Sequence, residues 1–289
     1  MSRGLGDVYK RQEKTFTRIW ETIKNLAGEL GVDSGRIEGI GIGIPGPVEH
    51  QEIVGFFANF PWETGINASQ LMKDISGVKN VKLDNDANVI ALGEAKYGAG
   101  RGSESSVTIA LGTGIGGGIY VDGNLISGYK GAGGEVGHMK VEREGKLCGC
   151  GQKGCWEAYA SATGLIRETA SRLVVNKNNL IYKMIGGDLS KLEAKTVFDA
   201  AKEGDVFALE LVDYEAEYVA LGLGNVLNLV NPQVIILGGG VALAGDILLQ
   251  RVKEKLEKYA LPITLKGLEI KLSQLGNDAG IMGASALVL

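Results

Sequence analysis

Three cysteines and one histidine, packed into a short span, carry the most specific chemistry in this chain. Residues 131–161 read GAGGEVGHMKVEREGKLCGCGQKGCWEAYAS and hold Cys148, Cys150 and Cys155, the full complement of 3 cysteines, with His138, one of 2 histidines. The spacing is H-x9-C-x-C-x4-C, and Gly149, Gly151 and Gly154 let the backbone fold tightly around a centre. Three thiolates and one imidazole suit tetrahedral zinc and leave no open position. The bland alternative is three unrelated buried thiols and a surface histidine, and the clustering argues against it. A closed shell implies a structural zinc, so any chemistry should belong to residues that the metal positions. Glu135 stands just before His138 and Glu157 just after Cys155. Fixed by a metal, these two carboxylates could face one polyhydroxylated ligand.

Other segments bring backbone or carboxylate to places where ligands bind. Asn85-Asp86 follow a short strand, Val81 to Leu83, and open a helical spacing through Val89, Ile90, Leu92 and Ala95. A carboxylate there is first of all a cap, yet the carboxyl end of a strand in an α/β protein is also where ligand-reading side chains collect. Residues 106–122 are two β-rich runs joined by Gly112-Thr113-Gly114-Ile115-Gly116-Gly117-Gly118. Such a turn can cradle phosphate with backbone N–H groups and a threonine hydroxyl. It is neither a Walker A motif nor a dinucleotide fingerprint, because no Lys-Ser/Thr and no helix follows. Gly238, Gly239 and Gly240 sit between a buried strand (Val234 to Leu237) and a helix, which fits close approach of a nucleotide. Three glycines alone guarantee only a tight turn. Ile37 to Ile44 alternates apolar and small residues, then breaks at Pro45-Gly46-Pro47, a loop that meets a ligand or simply turns at the surface. Asn59, between Phe57 and Phe60, satisfies a buried backbone group or touches a ligand.

The elements that must position these residues follow from periodicity. Phe16, Ile19, Trp20, Ile23 and Leu26 predict an amphipathic helix over 13–31, stopped by Gly31. Helical patterns recur over 156–173 and 189–229, after the strand–GGG turn, and in the small-residue segment NDAGIMGASALVL. LEIKLSQ reads as a last strand. This strand/helix alternation is α/β. With 289 residues, 45% hydrophobic and 22% charged, the chain has the composition of a globular protein with one large or two ordinary domains. Glycine is the outlier, 45 of 289, roughly twice the usual ~7%. A net charge of −4 gives no reason to expect nucleic acid or an anionic membrane as partner. The odd cysteine count in CxC and Cx4C spacing argues for a reducing compartment. No run of 18 apolar residues and no signal-peptide core is present, so a cytoplasmic location is expected.

Together the segments IGIPGPV, LDNDANVIALGEAKYGAG, LGTGIGGGIYVDG, GEVGHMKV with CGCGQKGCWEAYAS, NPQVIILGGGV and LGNDAGIMGA resemble the ROK family of repressors and sugar kinases, in the actin-like ATPase superfamily. They run in family order from about residue 37 to the end. The ExGH plus CxCGxxGCxE combination is highly specific, and the ASATG segment and LGNDAG tail look most like bacterial ATP-dependent glucokinases. The resemblance implies an actin-like (ribonuclease H-like) fold with two domains around a cleft. It implies a small domain over 13–106, a large one over 107–275 with the zinc knot and nucleotide loops, and a helix over 276–289 returning to the small domain. Asp86 matches the family's catalytic base and Asn85 its sugar-hydroxyl partner. Glu135, His138 and Glu157 match the sugar-binding set, His138 serving the zinc as well, and Gly46 and Asn59 match loop positions beside the sugar. Thr113 and Gly114 match the second phosphate loop, and Gly238, Gly239 and Gly240 the adenosine loop.

The expected activity is therefore phosphorylation of a hexose, glucose first, by ATP with Mg²⁺, in a homo-oligomer (dimer or tetramer). A carboxylate can take the proton of an attacking hydroxyl, and glycine-loop N–H groups with Mg²⁺ neutralise phosphate charge. N-acetylglucosamine, N-acetylmannosamine or fructose are the alternative sugars. A sugar-sensing repressor with its DNA-binding domain missing is the alternative class. The first twelve residues, MSRGLGDVYKRQ, read as an artefactual start. The family's opening DxGGT-type phosphate motif has no match before Glu13, which predicts a truncated chain of impaired activity. Trp156 replaces a leucine usual in GCLE, an expected packing change.

Overall fold

The computed structural model describes the backbone of residues 5–55 and 64–289, with side chains from Gln12 onward. The chain opens with helix α1 (Leu5–Glu29), then strand β1 (Gly39–Ile44) and the short strands β2 (Val48–Glu49), β3 (Ile53–Val54) and β4 (Ile66–Asn67). Helix α2 (Ala68–Ser76) and strand β5 (Asn80–Asn85) follow, and β5 runs directly into α3 (Asp86–Tyr97). Strands β6 (Ser105–Leu111), β7 (Ile115–Val121) and β8 (Asn124–Leu125) precede α4 (Glu157–Ala160), α5 (Ala162–Leu173), α6 (Leu180–Met184), α7 (Ala194–Lys202) and α8 (Val206–Val230). The chain ends with β9 (Val234–Gly238), α9 (Asp246–Leu256), α10 (Pro262–Leu265), β10 (Glu269–Leu272) and α11 (Ala279–Ala286). Strand and helix alternate as expected of an α/β protein.

Two compact units divide the chain. The first gathers Met1–Gly102, Gly118–Gly134 and Asn277–Leu289, and the second Ser103–Gly117 and Glu135–Gly276.

In the first unit β1 and β5 pair in parallel, Ile40 opposite Val81 and Ile44 opposite Asn85. Parallel strands need a crossover, which the segment carrying α2 supplies. Phe16, Ile19, Trp20 and Ile23 of α1 pack on a core that includes Val54, Leu71, Met72 and Leu83, as the periodicity predicts. Leu26, predicted in the same stripe, is 53% exposed. At about 100° per residue it has rotated to the edge of the stripe that Phe16 begins. The helix also starts at Leu5, ahead of the expected residue 13, because DVYKRQEK contains no residue that breaks a helix. Helix α11 packs on α3 through small residues. A Cβ on Gly283 would overlap the Val89 carbonyl, and one on Gly93 the Ala279 carbonyl. Only glycine permits that approach.

In the second unit β6, β9 and β10 lie parallel in the order β10-β9-β6, Ser106 and Glu269 both opposite Val234. Val107, Ile109, Leu111 and Val234 to Leu237 are buried, the near-continuous apolar run of a parallel strand covered on both faces. Helix α8 is the longest here. Asp205 caps its start by accepting from the Ala208 N–H at 2.8 Å, and Asn231 ends it in a left-handed conformation at φ 49°. Trp156 is fully buried against α8, its Nε1 donating to the Tyr218 carbonyl at 2.7 Å, and Gly222 supplies the space a Cβ would fill. The expected helix over 156–173 is interrupted at Ser161, which leaves the helical region (φ −93°, ψ 164°). Its Oγ accepts from the Gly164 N–H at 3.0 Å and starts α5 afresh. Among the described residues no helix is long and apolar enough to cross a membrane.

Candidate active site

In the first unit, polar groups converge where β5 becomes α3. Asp86 is the first residue of α3 and is exposed. Its Oδ1 accepts from the Ala87 N–H at 2.9 Å, but the residue that caps α3 is Asn85, so Asp86 lies in the first turn and is not the cap its place in the sequence suggested. Asn85 is more heavily committed. Its Oδ1 accepts from the N–H groups of Ala87 (2.9 Å) and Asn88 (3.3 Å), and its Nδ2 donates to the Gly46 carbonyl at 3.2 Å. An amide carries two donor hydrogens, so one remains for a ligand. This bond brings Gly46, with φ 120°, beside Asn85. Asn59 lies outside the described residues.

Sequence reasoning missed the group beneath them. Asp84 is buried and accepts from the Asn85 N–H (2.7 Å), Asn88 Nδ2 (2.7 Å) and Ser127 Oγ (3.2 Å). Burial pushes its carboxyl above the ordinary range, against the pull of these three hydrogen bonds. The cluster ties strand, helix and the Ser127 loop into one node. The signal was an acid two residues before Asp86 at the end of an apolar strand.

In the second unit His138, Cys148, Cys150 and Cys155 come together, one ligand atom of each lying within 4.8 Å of the others. His138 Nδ1 is 3.7 Å from Cys148 Sγ, and Cys150 Sγ is 3.7 Å from Cys155 Sγ. A tetrahedral zinc with arms of about 2.3 Å has edges of about 3.8 Å, so the donor set fits that ion. Burial pushes the Cys148 thiol up to about 12, so a thiolate there needs a cation beside it. Short antiparallel bridges, Lys140 with Cys155 and Leu147 with Lys153, fold the knot on itself. Lys140 Nζ donates to Cys155 Sγ at 3.1 Å. Lys146 fastens the knot to the helices: its N–H donates to Tyr159 Oη at 2.6 Å and its Nζ to Glu168 (2.6 Å) and Tyr214 Oη (2.7 Å). Glu135 Oε2 is 4.0 Å from His138 Nε2.

Glu157 reaches two ways. Its Oε1 lies 3.5 Å from Cys148 Sγ and its Oε2 accepts from the Ile115 N–H at 3.0 Å. The glycine turn holding Thr113 and Gly114 is thus beside the knot. The second glycine turn leaves β9, which pairs with β6, so both turns emerge at the carboxyl ends of neighbouring parallel strands. Gly239, at φ 83°, leaves no room for a Cβ beside the Leu111 carbonyl, and the Val241 N–H donates to that same oxygen at 2.9 Å. A turn of 3₁₀ helix, Ala242–Ala244, then intervenes before α9, so Gly240 does not open that helix directly. The crevice at strand carboxyl ends is where open α/β sheets bind ligands.

The Thermotoga maritima glucokinase is 39% identical over 279 residues, covering 96% of this chain and 86% of that protein. The crystal structure of a ROK family glucokinase from Streptomyces griseus, in complex with glucose and AMPPNP, is 32% identical with a TM-score of 0.78, over 93% of this chain and 87% of that one. A ROK family transcriptional regulator, a homolog of the E. coli MLC protein, matches at 25% identity and TM-score 0.83, over 96% of this chain and 68% of its own. The profile of the ROK family spans residues 6–289, and the chain belongs to that family.

Proposed function

We propose that this chain is an ATP-dependent hexose kinase that converts glucose to glucose 6-phosphate, with Asp86 as general base. The observation that carries this reading is the likeness to glucokinases over most of both chains, one of them solved with glucose and AMPPNP. In this reading the sugar 6-hydroxyl oxygen attacks the γ-phosphorus in line and its proton passes to the Asp86 carboxylate. The bond from the γ-phosphorus to the β,γ-bridging oxygen breaks, and ADP leaves. The spare amide hydrogen of Asn85, with Glu135, Glu157, His138, Gly46 and Asn59, orients the sugar. The turn at Thr113 and Gly114 receives phosphate, and Gly238, Gly239 and Gly240 border the adenosine. Mg²⁺ accompanies ATP and neutralises charge on its phosphates. Zinc held by His138, Cys148, Cys150 and Cys155 cross-links the knot and does no chemistry. We assign the protein to the cytoplasm, where ATP is supplied and its unbridged cysteines stay reduced.

The regulator likeness supports a competing reading, a sugar-sensing repressor. It covers a smaller share of that protein at lower identity than the glucokinase match does, and the kinase reading is favoured. The test is release of ADP by the purified chain with glucose, N-acetylglucosamine, N-acetylmannosamine and fructose as acceptors. Glucose should lead, and Asp86→Ala should cut turnover by roughly 10²–10⁴ while sugar binding survives. Near-normal turnover in Asp86→Ala removes that residue from its role. Sugar binding with no ADP released from any acceptor favours the repressor.

A further inference from the structure

The ASATG segment, Ala160 to Gly164, has no part in the chemistry above, yet it touches the glycine turn twice. The Ala162 N–H donates to the Gly112 carbonyl at 2.8 Å, and Thr163 Oγ1 donates to the Thr113 carbonyl at 2.8 Å. Ala162 is the first residue of α5, so its N–H is one of the donors a helix start leaves without an intrahelical partner. Another, the Gly164 N–H, goes to Ser161 Oγ. The turn is closed internally by the Gly112 N–H on the Gly114 carbonyl at 2.9 Å and at its far end by the Ile115 N–H on Glu157.

The direction of these bonds matters. In a trans peptide the C=O of one residue and the N–H of the next point opposite ways. Holding the Gly112 and Thr113 carbonyls toward the start of α5 therefore turns the Thr113 and Gly114 N–H groups away from it. Two successive N–H groups aimed one way form the kind of concavity that binds an anion. Released, either peptide could flip and present a carbonyl oxygen, which repels phosphate.

We infer that Thr163 is a positioning residue for ATP: its hydroxyl fixes the Thr113–Gly114 peptide with the N–H facing the phosphates. This rests on the reading of the glycine turn as a phosphate loop. The side chain makes no contact with substrate in this account and acts only through the Thr113 carbonyl.

Thr163→Val removes the hydroxyl at constant shape, and Thr163→Ser restores it. The measurements are calorimetric binding of Mg²⁺–AMPPNP, KM for ATP and for glucose, and the melting temperature. Loss of one net hydrogen bond corresponds to about a 3- to 10-fold weakening. Thr163→Val should show it in AMPPNP binding and in KM for ATP, with KM for glucose and the melting temperature held, and Thr163→Ser should return to wild-type binding. Unchanged AMPPNP binding in Thr163→Val, beside a wild type that binds, overturns the role of Thr163. So does an equal rise in both KM values that serine fails to rescue, since that marks a structural defect. A wild type that does not bind AMPPNP overturns the phosphate-loop reading itself.

Discussion

The Glu157 carboxylate accepts the Ile115 N–H at 3.0 Å while its other oxygen stands 3.5 Å from Cys148 Sγ, so one side chain joins the cysteine knot to the glycine turn. Its position in the sequence suggested a sugar ligand, and the geometry adds a structural duty. A Cβ on Gly114 would overlap Glu157 Oε2. Gly114→Ala must therefore move the carboxylate, the turn, or both. If Glu157 also touches the sugar, the substitution should raise KM for glucose and for ATP together, about 10-fold each for a lost charge-assisted bond. Steady-state kinetics in both substrates check this. A rise confined to ATP would separate Glu157 from the sugar.

The knot carries a second expectation. Three thiolates and an imidazole around Zn²⁺ leave a net charge of −1, and Lys140 Nζ, 3.1 Å from Cys155 Sγ, stands where it offsets that charge. Groups just outside a metal's ligand shell typically change affinity 10- to 100-fold. Zinc content of the purified protein should be one per chain, and a chelator should lower the melting temperature. Lys140→Met should release zinc to a colorimetric chelator about 10-fold faster than wild type, with Lys140→Arg close to wild type. Equal release from all three would leave Lys140 a surface lysine.

What was legible in the sequence was mostly local. The His/Cys spacing names its ligands because all four lie within one short segment, and their convergence requires only that the intervening glycines turn. Asp86 was legible as the start of a helix because a strand ran into it, although the side chain that caps α3 is that of Asn85. By contrast, Asp84 and Ser127 are 43 residues apart, and nothing in either neighbourhood announces the other. Asn85 shows the opposite limit: its likeness to a sugar ligand was plain, but its bonds to two helix N–H groups and to the Gly46 carbonyl depend on how β5 packs beside β1. Thr163 looked like helix interior until Ser161 broke the helix ahead of it. Glu215 had no signal, since one acid in a helix reads as solvent-facing.

Glu215 is in fact fully buried on α8, with neither carboxylate oxygen hydrogen-bonded among the described residues. Burial raises its pKa well above the ordinary 4.5, opposed by the Lys146 charge. Its folded-state pKa is thus above the unfolded one, so the folded protein binds this proton more tightly. The stability this proton contributes is whole below pH 4.5. It declines by about 1.4 kcal/mol per pH unit as pH rises toward the folded pKa. Glu215→Gln removes the titration. Chemical denaturation of both proteins at a series of pH values should show the variant's advantage growing with pH above 4.5, by that slope. A constant difference would place the Glu215 carboxyl in contact with water.

Trp156 and Gly222 are the most direct case of two sequence choices explaining each other. The indole is fully buried and its Nε1 donates to the Tyr218 carbonyl at 2.7 Å. A Cβ on Gly222 would lie inside the ring. Glycine within a helix costs about 1 kcal/mol relative to alanine, so Gly222 is tolerated in α8 for the room it gives the tryptophan. Gly222→Ala gains helix propensity but overpacks the contact, at about 1–3 kcal/mol, and should destabilise on balance. Trp156→Leu alone leaves a cavity and removes the bond to Tyr218, at about 3–5 kcal/mol. Combined, the alanine fills part of the space the indole vacates and restores the helix residue. The double variant should therefore be more stable than Trp156→Leu alone, with a coupling of about 1–3 kcal/mol. Equilibrium denaturation of the four proteins gives that coupling directly. Strict additivity would mean that Trp156 and Gly222 do not constrain one another, and that the space beside the indole has another cause.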